Sequence, residues 1–258
     1  MNAPELEAFV ENHLNLQVKI SYPEHHDFLL RHGLKACAAV LDVGTGNGAF
    51  AARLAADHPE IQFVGIDKRA PCVESCQKYL KSNFVAEKVD MFAREISFDL
   101  ARFDGHLLRY FLLHVDNAQK ILELFKAKGK AGARIWIIDL DWSTFSCSPP
   151  HPHFDQLTSL VRDFCAKVSV ESNGGQNVLP LLEKLGFQNI VVEQGPFTSK
   201  NIALEDLALY LKQEMQCYSR MSGQGASDSE IMRFIDDEVR SGKSQISYGM
   251  KLISCQIP

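Results

Sequence analysis

Residues 40–50 read VLDVGTGNGAF, and this stretch decides the fold of the chain. It opens with apolar, mostly branched residues that predict a buried strand, and it continues into three glycines at alternate positions. The residues after the last glycine, 49–55, predict a helix. A strand, a glycine turn and a helix in this order form the first unit of a doubly wound α/β domain.

The spacing within the turn indicates which ligand it binds. Glycines allow a ligand to approach the backbone where a Cβ would clash, and the start of the helix presents unpaired N–H groups. A dinucleotide fingerprint reads G-x-G-x-x-G and places a pyrophosphate on the helix N-terminus. Here Asp42 precedes Gly44, Gly46 and Gly48, so the third glycine comes one position early. A carboxylate at residue 42 would repel a pyrophosphate and attract an ammonium group; a tight turn without a ligand is the alternative interpretation.

This pattern resembles the first motif of the class I S-adenosylmethionine-dependent methyltransferases, D/E-x-G-x-G-x-G. The resemblance extends well from residue 34 to residue 141 and loosely beyond. It implies an α/β fold with a Rossmann-like, seven-stranded sheet, mostly parallel with an antiparallel last strand, and with helices on both faces. The cofactor that it implies is S-adenosylmethionine, with S-adenosylhomocysteine as the product. The first motif would contribute Asp42, Gly44, Thr45, Gly46 and Gly48 to the cofactor site.

An acidic residue ends the next predicted strand, 61–67, about twenty residues beyond the glycines, as in many adenosine-binding folds. This residue, Asp67, would accept hydrogen bonds from the ribose hydroxyls, which NAD and S-adenosylmethionine share. Lys68 and Arg69 follow and would flank the adenine, with a solvated surface as the alternative. After a predicted third strand, the resemblance implies that Asp90 and Met91 bind the adenine, with Glu95 as a competing candidate.

Residues 102–115, RFDGHLLRYFLLHV, resemble the fourth motif of the same methyltransferases. Open α/β sheets bind ligands at the carboxyl ends of their strands, so Arg109, Tyr110 and His114 would lie where methyl donor and acceptor meet. Arg109 is assigned to the cofactor, through its side chain or its carbonyl. His114 and Tyr110 are candidate catalytic residues, and a buried structural histidine is the alternative for His114.

Other candidate residues come from the segments expected to cover the site. Methyl transfer needs alignment above all, and it needs a general base only where the acceptor must lose a proton. The resemblance therefore carries over no universal catalytic residue. His25 and His26 are further candidates for catalysis, and simple helix packing is the alternative. Tyr22, Asp139 and His151 are candidates for acceptor binding.

The remaining pattern predicts the domain organisation. Residues 1–35 predict a helical cover interrupted by Pro23, and residues 36–258 predict the methyltransferase domain with a helical insert at about 198–242. A strand is predicted at 133–141, a loop at 143–153 and helices at 71–82, 154–168, 176–187, 203–220 and 228–240. The last strand, 248–255, is predicted to pair antiparallel with 188–193.

Composition limits the function classes. The chain has 258 residues, 46% of them hydrophobic, and a net charge of −5, which argues against a nucleic-acid-binding surface. The N-terminus lacks the pattern of a signal peptide, and no apolar run predicts a membrane span. Seven scattered cysteines predict reduced thiols in a cytoplasmic protein, and no metal site is predicted.

The sequence thus predicts a methyltransferase that acts on a small-molecule acceptor by in-line displacement. Its partner would be that acceptor. The sequence leaves open whether the protein is a monomer or forms a homodimer with a second copy. Two other functions stay open: an NAD(P)-dependent oxidoreductase, and a methyltransferase fold that binds ligands without catalysis. The spacing of the glycines counts against the oxidoreductase.

Overall fold

The computed structural model describes residues 3–93, 98–115, 117–156, 158–159, 174–198, 202–222 and 228–258. Its strands are β1 (Ala39–Val43), β2 (Gln62–Asp67), β3 (Phe84–Lys88), β4 (Gly105–Arg109), β5 (Arg134–Ser148), β6 (Gln188–Thr198) and β7 (Gln245–Gln256). They form one sheet in the order β3-β2-β1-β4-β5-β7-β6. Strands β1 to β5 are parallel, and β7 runs antiparallel to both β5 and β6, as predicted.

The helices of the described chain are α1 (Ala3–Arg31), α2 (Ala49–Asp57), α3 (Ala70–Ser75), α4 (Ala118–Lys128), α5 (Gly174–Leu185), α6 (Leu204–Ser222) and α7 (Asp228–Phe234). A 3₁₀ turn at Leu112–His114 follows β4, and a π-helix at Ile235–Arg240 continues α7. Residues 152–156 are also helical. Asn117 begins α4, because its Oδ1 accepts a hydrogen bond from the amide of Lys120.

Two apolar layers cover the sheet, because successive side chains of a strand point to opposite faces. One layer packs against α1 and α2 and contains Val40, Leu107 and Trp136. The other packs against α4 and α5 and contains Leu41 and Ile137. With both faces covered, the central strands consist almost entirely of apolar residues, and the polar exceptions stand out.

Several elements differ from the prediction, and strands β6 and β7 are both longer than predicted. Helix α1 is continuous through Pro23 instead of broken there. Strand β5 continues to Ser148, through part of the predicted loop, because β7 pairs with it as far as Gln245 beyond an irregularity between Asp141 and Ser146. Helix α3 ends at Ser75 and gives way to a 3₁₀ helix. Glu95 and most of the predicted helix 154–168 lie outside the described residues.

None of the described helices has the length and apolar character required to cross a membrane. The cysteines whose side chains are described, Cys37, Cys72, Cys76, Cys147 and Cys255, are free thiols. Within the same part of the chain, no group of three or more His, Cys, Asp or Glu side chains could hold a metal ion.

Candidate functional site

A cavity of about 300 Å³ lies at the carboxyl ends of β1 to β4. This volume is at the lower end of the range for small-molecule sites. Seven of the predicted site residues line the cavity: Gly44, Asp67, Lys68, Asp90, Met91, Tyr110 and His114. Arg69, predicted with Lys68 to flank the adenine, also lines it, and the remaining lining residues were not singled out from the sequence: Val43, Ile66, Val89, Phe92, Phe111 and Val115.

The glycine turn, Gly44 to Gly48, disfavours larger residues at its three glycines, both through its backbone conformation and through close contacts with neighbouring side chains. Gly44, Gly46 and Gly48 have φ angles of 72°, 60° and 76°, in the left-handed region that favours glycine. A Cβ at Gly44 would lie 2.6 Å from the Phe111 ring, and a Cβ at Gly48 would lie 2.7 Å from the Cys76 sulfur. The turn is anchored to β2, because the amides of Gly44 and Thr45 both donate to the carbonyl of Ile66.

Asp67 connects the glycine turn to the cavity. One carboxylate oxygen accepts a hydrogen bond from the amide of Gly46 at 3.2 Å, and the other accepts one from the amide of Arg69 at 2.9 Å. A carboxylate offers about four lone-pair positions. Asp67 therefore retains acceptor capacity for hydroxyl groups of a ligand in the cavity.

Asp42 lies behind the turn and is only 4% exposed. Its carboxylate accepts a hydrogen bond from the Thr45 hydroxyl at 2.7 Å. Burial raises the pKa of Asp42 to about 6, although Thr45 and the charge of Arg109 act in the opposite direction. Asp42, Thr45, Gly46 and Gly48 shape the turn from outside the cavity lining.

Asp90 and Met91 follow β3 at the opposite wall. The Asp90 carboxylate accepts a hydrogen bond from the amide of Phe92 at 2.9 Å, which closes a short turn. The amide of Val89 donates to the carbonyl of Asp67, so the ends of β2 and β3 are joined. The Met91 side chain is buried against the cavity.

The residues that end β4 have an unusual backbone. Tyr110 has a φ of 51°, which is rare for a side chain of its size. Its ring lines the cavity, and its hydroxyl donates to the Met250 sulfur at 3.3 Å. Burial raises the pKa of Tyr110 to about 12, so the phenol is protonated at neutral pH. Arg109 points away from the cavity, toward α1.

The histidine candidates lie in different places. His114, on the 3₁₀ turn, is exposed and lines the cavity. His25, on the inner side of α1, is fully buried and accepts a hydrogen bond from Arg109. Burial and the charge of Arg109 hold the pKa of His25 well below its usual range. His26 contacts His58, with 2.8 Å between their Nε2 atoms.

The predicted acceptor residues are not brought to the cavity lining. Tyr22 donates to Asp57 at 2.6 Å, between α1 and α2. Asp139 is completely buried on β5, and burial raises its pKa well above the usual range, although the backbone amides of Leu113 and Leu112 act in the opposite direction. His151 packs against Phe234, with 4.5 Å between ring centroids.

Helix α1 supplies contacts to the turn that the sequence did not reveal. The Leu14 side chain lies against Gly46, 3.3 Å from where a Cβ would be. Asn15 accepts a hydrogen bond from Asn47 at 2.8 Å. No local signal points to either residue. By contrast, Phe111 directly follows the two residues chosen at the end of β4, and its position beside the turn follows from that place.

The residues present suit a nucleoside. Asp67 and Asp90 present carboxylates that accept from hydroxyl and amino groups, while Val89, Val115 and Phe92 offer apolar surface for a flat ring. Of the turn, Gly44 lines the cavity, and the Phe111 ring lies beside it. The arrangement can hold a nucleoside at the edge of the sheet, with its substituent directed toward the turn.

Comparisons with known proteins identify the family and the fold. The model of a protein family described as "Methyltransferase domain" matches residues 34–195, which is more than half of the chain. Among curated proteins, none matches this sequence. The solved structures that resemble the chain share its fold, at sequence identities that show the fold alone.

Three of these structures illustrate the likeness. The phosphoethanolamine N-methyltransferase 2 of Haemonchus contortus, in complex with phosphomonomethylethanolamine and S-adenosylhomocysteine, is 15% identical with a TM-score of 0.53. The alignment covers 85% of this chain and 48% of that one, so this chain spans about half the length of the nematode protein. The YcgJ protein of Bacillus subtilis is 16% identical with a TM-score of 0.54, over 91% of this chain and 99% of that one. A SAM-dependent methyltransferase of Archaeoglobus fulgidus is 18% identical with a TM-score of 0.52, over 94% and 99%.

Proposed function

The chain belongs to the family of methyltransferase domains, and we propose that it transfers a methyl group from S-adenosylmethionine to a small-molecule acceptor by in-line displacement. One observation carries the proposal. The cavity at the carboxyl ends of β1 to β4 has the glycine turn at one wall and the carboxylates of Asp67 and Asp90 at the others. When bound, S-adenosylmethionine supplies a methyl group activated by its sulfonium charge.

The cavity residues divide the recognition of the cofactor among them. Asp67 accepts hydrogen bonds from the ribose hydroxyls, a role supported by its position on the wall and its remaining acceptor capacity. Asp90 accepts from the adenine amino group, Met91 packs beside the ring, and Lys68 flanks it. Gly44 meets the amino-acid tail at the cavity wall, Thr45, Gly46 and Gly48 form the rest of the turn that faces the tail, and Asp42 favours its ammonium group electrostatically.

Two of the candidate catalytic residues, Tyr110 and His114, line the cavity and lie nearest to the reacting centre. They position the acceptor, since alignment alone can lower a barrier by about 7–11 kcal/mol. Of the two, His114 is the one that can take a proton from the acceptor: desolvation by the surrounding residues and the charge of Arg69 lower its pKa to about 4, so the imidazole is neutral at pH 7 and acts as a weak base. Tyr110 stays protonated at neutral pH and donates a hydrogen bond instead.

Helix α1 and the helices between β6 and β7 act as the cover of the acceptor site. Ion pairs join α1 to α6: Lys19 lies 2.6 Å from Asp206, and His13 lies 2.9 Å from Glu214. Because α1 also contacts the glycine turn through Leu14 and Asn15, the cover and the cofactor site form one unit. A cover of this kind favours an acceptor small enough to be enclosed.

Titration calorimetry with S-adenosylhomocysteine tests the proposal. We expect binding by the wild type, and an affinity at least about 10-fold lower for Asp67→Ala, which loses a carboxylate that receives hydrogen bonds. Glu123→Ala, which removes an exposed carboxylate on α4, is the matched control and keeps wild-type affinity. No binding by the wild type at high micromolar ligand would reject the proposed function. Release of S-adenosylhomocysteine with a panel of small acceptors then measures turnover.

A further inference from the structure

Arg109 occupies an unexpected position at the end of β4. Side chains of consecutive strand residues alternate between the faces of a sheet, but the left-handed backbone of Tyr110 interrupts that alternation. The Arg109 guanidinium therefore lies over the Tyr110 ring, 4.5 Å from its centroid, and equally close to the ring of Phe50 in the first turn of α2. It is sandwiched between aromatic rings beneath α1.

The hydrogen-bond partners of this guanidinium are neutral. Its Nε donates to Nδ1 of His25 at 3.2 Å, and one terminal nitrogen donates to the Ser21 hydroxyl at 3.0 Å. Since Nδ1 of His25 accepts, the ring proton is on Nε2, which lies 3.3 Å from the Met250 sulfur. His25 is thus a neutral imidazole in a fixed tautomer, and it does not compensate the positive charge.

No carboxylate in the described part of the chain lies within 4 Å of the Arg109 guanidinium, although such pairs are formed elsewhere, as between Arg31 and Glu193. Asp42 attracts Arg109 from beyond that distance. A partly buried cation without an anionic partner is unfavourable, because desolvation of the charge is not repaid. The guanidinium has five N–H donors in a planar fork that suits a carboxylate or phosphate, and the contacts above use two of them.

The place of the guanidinium indicates where an anion would bind. Arg109 and Asp42 lie at the ends of neighbouring strands, on the face of the sheet that α1 covers. Tyr110 separates Arg109 from the cavity and lines that cavity itself. An anionic group beside Arg109 would therefore lie between the cofactor cavity and the helical cover.

We propose that Arg109 binds an anionic group, a carboxylate or a phosphate, in the active site, with Ser21 and His25 as the positioning residues that orient its guanidinium. The inference rests on the proposed function and specifies the chemical group that the Arg109 side chain recognises. Two sources share this chemistry: the carboxylate of the amino-acid tail of S-adenosylmethionine, and an anionic acceptor.

Binding measurements on Arg109→Met and Arg109→Lys distinguish these sources. The ligands are S-adenosylhomocysteine and 5′-methylthioadenosine, which has the same nucleoside and thioether but no amino-acid tail. Benzoate and inorganic phosphate, added to protein saturated with S-adenosylhomocysteine, probe an acceptor anion. Arg102→Met is the matched control, because the Arg102 guanidinium also lies over an aromatic ring, 4.7 Å from the centroid of Phe103, far along the chain from the cofactor turn.

If the anion is the cofactor tail, Arg109→Met lowers the affinity for S-adenosylhomocysteine about 10- to 100-fold, as expected for the loss of a charge-assisted hydrogen bond, and leaves 5′-methylthioadenosine unaffected. Arg109→Lys, which keeps the charge without the fork, gives a smaller loss. Retained binding of 5′-methylthioadenosine also shows that the variants are folded.

If the anion belongs to the acceptor, both nucleosides bind Arg109→Met normally, while benzoate or phosphate binds the wild-type complex and not that of the variant. The proposal is overturned if Arg109→Met equals the wild type with S-adenosylhomocysteine and also with both anions. A wild type that binds neither nucleoside would instead reject the proposed function, so the two failures are distinguishable.

Discussion

The carboxyl group of Asp42 is held at the center of the molecule against an unfavourable environment. Burial is the main cause of its raised pKa of about 6, compared with an ordinary 3.8. Between these two values the folded chain retains a proton that the unfolded chain has lost. Stability therefore falls as the pH rises through that window, and the ionised form stays unfavourable above it.

Replacement of this carboxyl group by an amide removes the titration. We expect Asp42→Asn to unfold at higher urea concentration than the wild type at pH 7.5, with a gain of up to about 3 kcal/mol, because each unit of pKa shift corresponds to about 1.4 kcal/mol. The gain should disappear near pH 3.5, where the wild-type carboxyl is protonated in both states. A gain that is the same at both pH values would contradict the assigned cause. Weaker binding of S-adenosylhomocysteine by the same variant would show that the unfavourable charge serves the ligand.

A comparison of two glycines with similar φ angles distinguishes the cost of a left-handed backbone from the cost of a steric clash. Gly44 and Gly132 have φ angles of 72° and 75°, but a Cβ at Gly44 would lie 2.6 Å from Phe111, whereas none of the described atoms lies within 4 Å of a Cβ at Gly132. Gly132→Ala should lose about 1–2 kcal/mol of stability and bind S-adenosylhomocysteine normally. Gly44→Ala should lose more and should bind at least about 10-fold more weakly, because Phe111 is displaced into the cavity. Urea unfolding and calorimetry measure the two effects; equal losses in the two variants would refute the steric argument.

At the level of single residues, the sequence predicted part of the cavity lining. Gly44, Asp67 and Asp90 each end or directly follow a predicted strand, and the carboxyl ends of neighbouring parallel strands meet at one edge of the sheet, where all three line the cavity. The bond between Arg109 and His25 joins residues 84 positions apart, and no local pattern encodes it. The neutral state of His25 likewise follows from its burial, which only the packed structure provides.

The longest helix shows how packing overrides local preference. Proline lacks an amide donor and clashes with the preceding turn, so the sequence predicts a break at Pro23. In the structure α1 continues through it to Arg31. Residues on both sides of Pro23 are buried against the sheet, among them Tyr22 and Phe28, and most helical stability in proteins comes from such packing. The predicted end was right, since Gly33 has a φ of 92° just beyond the helix.

Tyr22 lies in the contact between α1 and α2, and its predicted contribution to stability can be tested. Its hydroxyl donates to Asp57 at 2.6 Å, and the Arg53 guanidinium lies 4.0 Å from the ring centroid. Tyr22→Phe should lower stability by about 1–2 kcal/mol, as expected for a lost hydrogen bond to a charged group, and should leave the affinity for S-adenosylhomocysteine within twofold. Unchanged stability together with impaired methyl transfer would instead support the acceptor role expected from the sequence.

The length of β5 is determined by its pairing with the neighbouring strand β7. Ser and Pro enrichment predicts a loop from residue 143, but β7 pairs with β5 as far as Ser148. A strand is stabilised by the backbone groups of its neighbour, and the neighbour here is about a hundred residues away in the chain. Local composition could not contain that information.

For the whole molecule, the sequence predicted the architecture correctly. The turn after β1 implies a parallel crossover, and the remaining apolar strands complete a sheet of seven with an antiparallel end. The arrangement of the cover could not be derived, because it depends on contacts such as that between His13 and Glu214, which join opposite ends of the chain. General rules of α/β topology therefore predict which edge of the sheet carries the cavity. The helices that cover this edge are arranged by specific side-chain contacts, which such rules do not predict.

Acid stability of the whole molecule should depend on His106 in the central strand β4. The imidazole is fully buried, its nitrogens have no hydrogen-bond partner among the described residues, and burial lowers its pKa from 6.5 to about 4. The unfolded chain binds a proton between these values and the folded chain does not, so stability declines as the pH falls from about 6.5 toward 4. The decline in unfolding free energy from pH 7 to pH 5 should be about 2 kcal/mol smaller in His106→Leu than in the wild type. Leu108→Met, on the same face of β4, alters packing without a titrating group and should keep the wild-type decline. If urea unfolding gives the same decline for His106→Leu as for these two proteins, another group is responsible for the acid sensitivity.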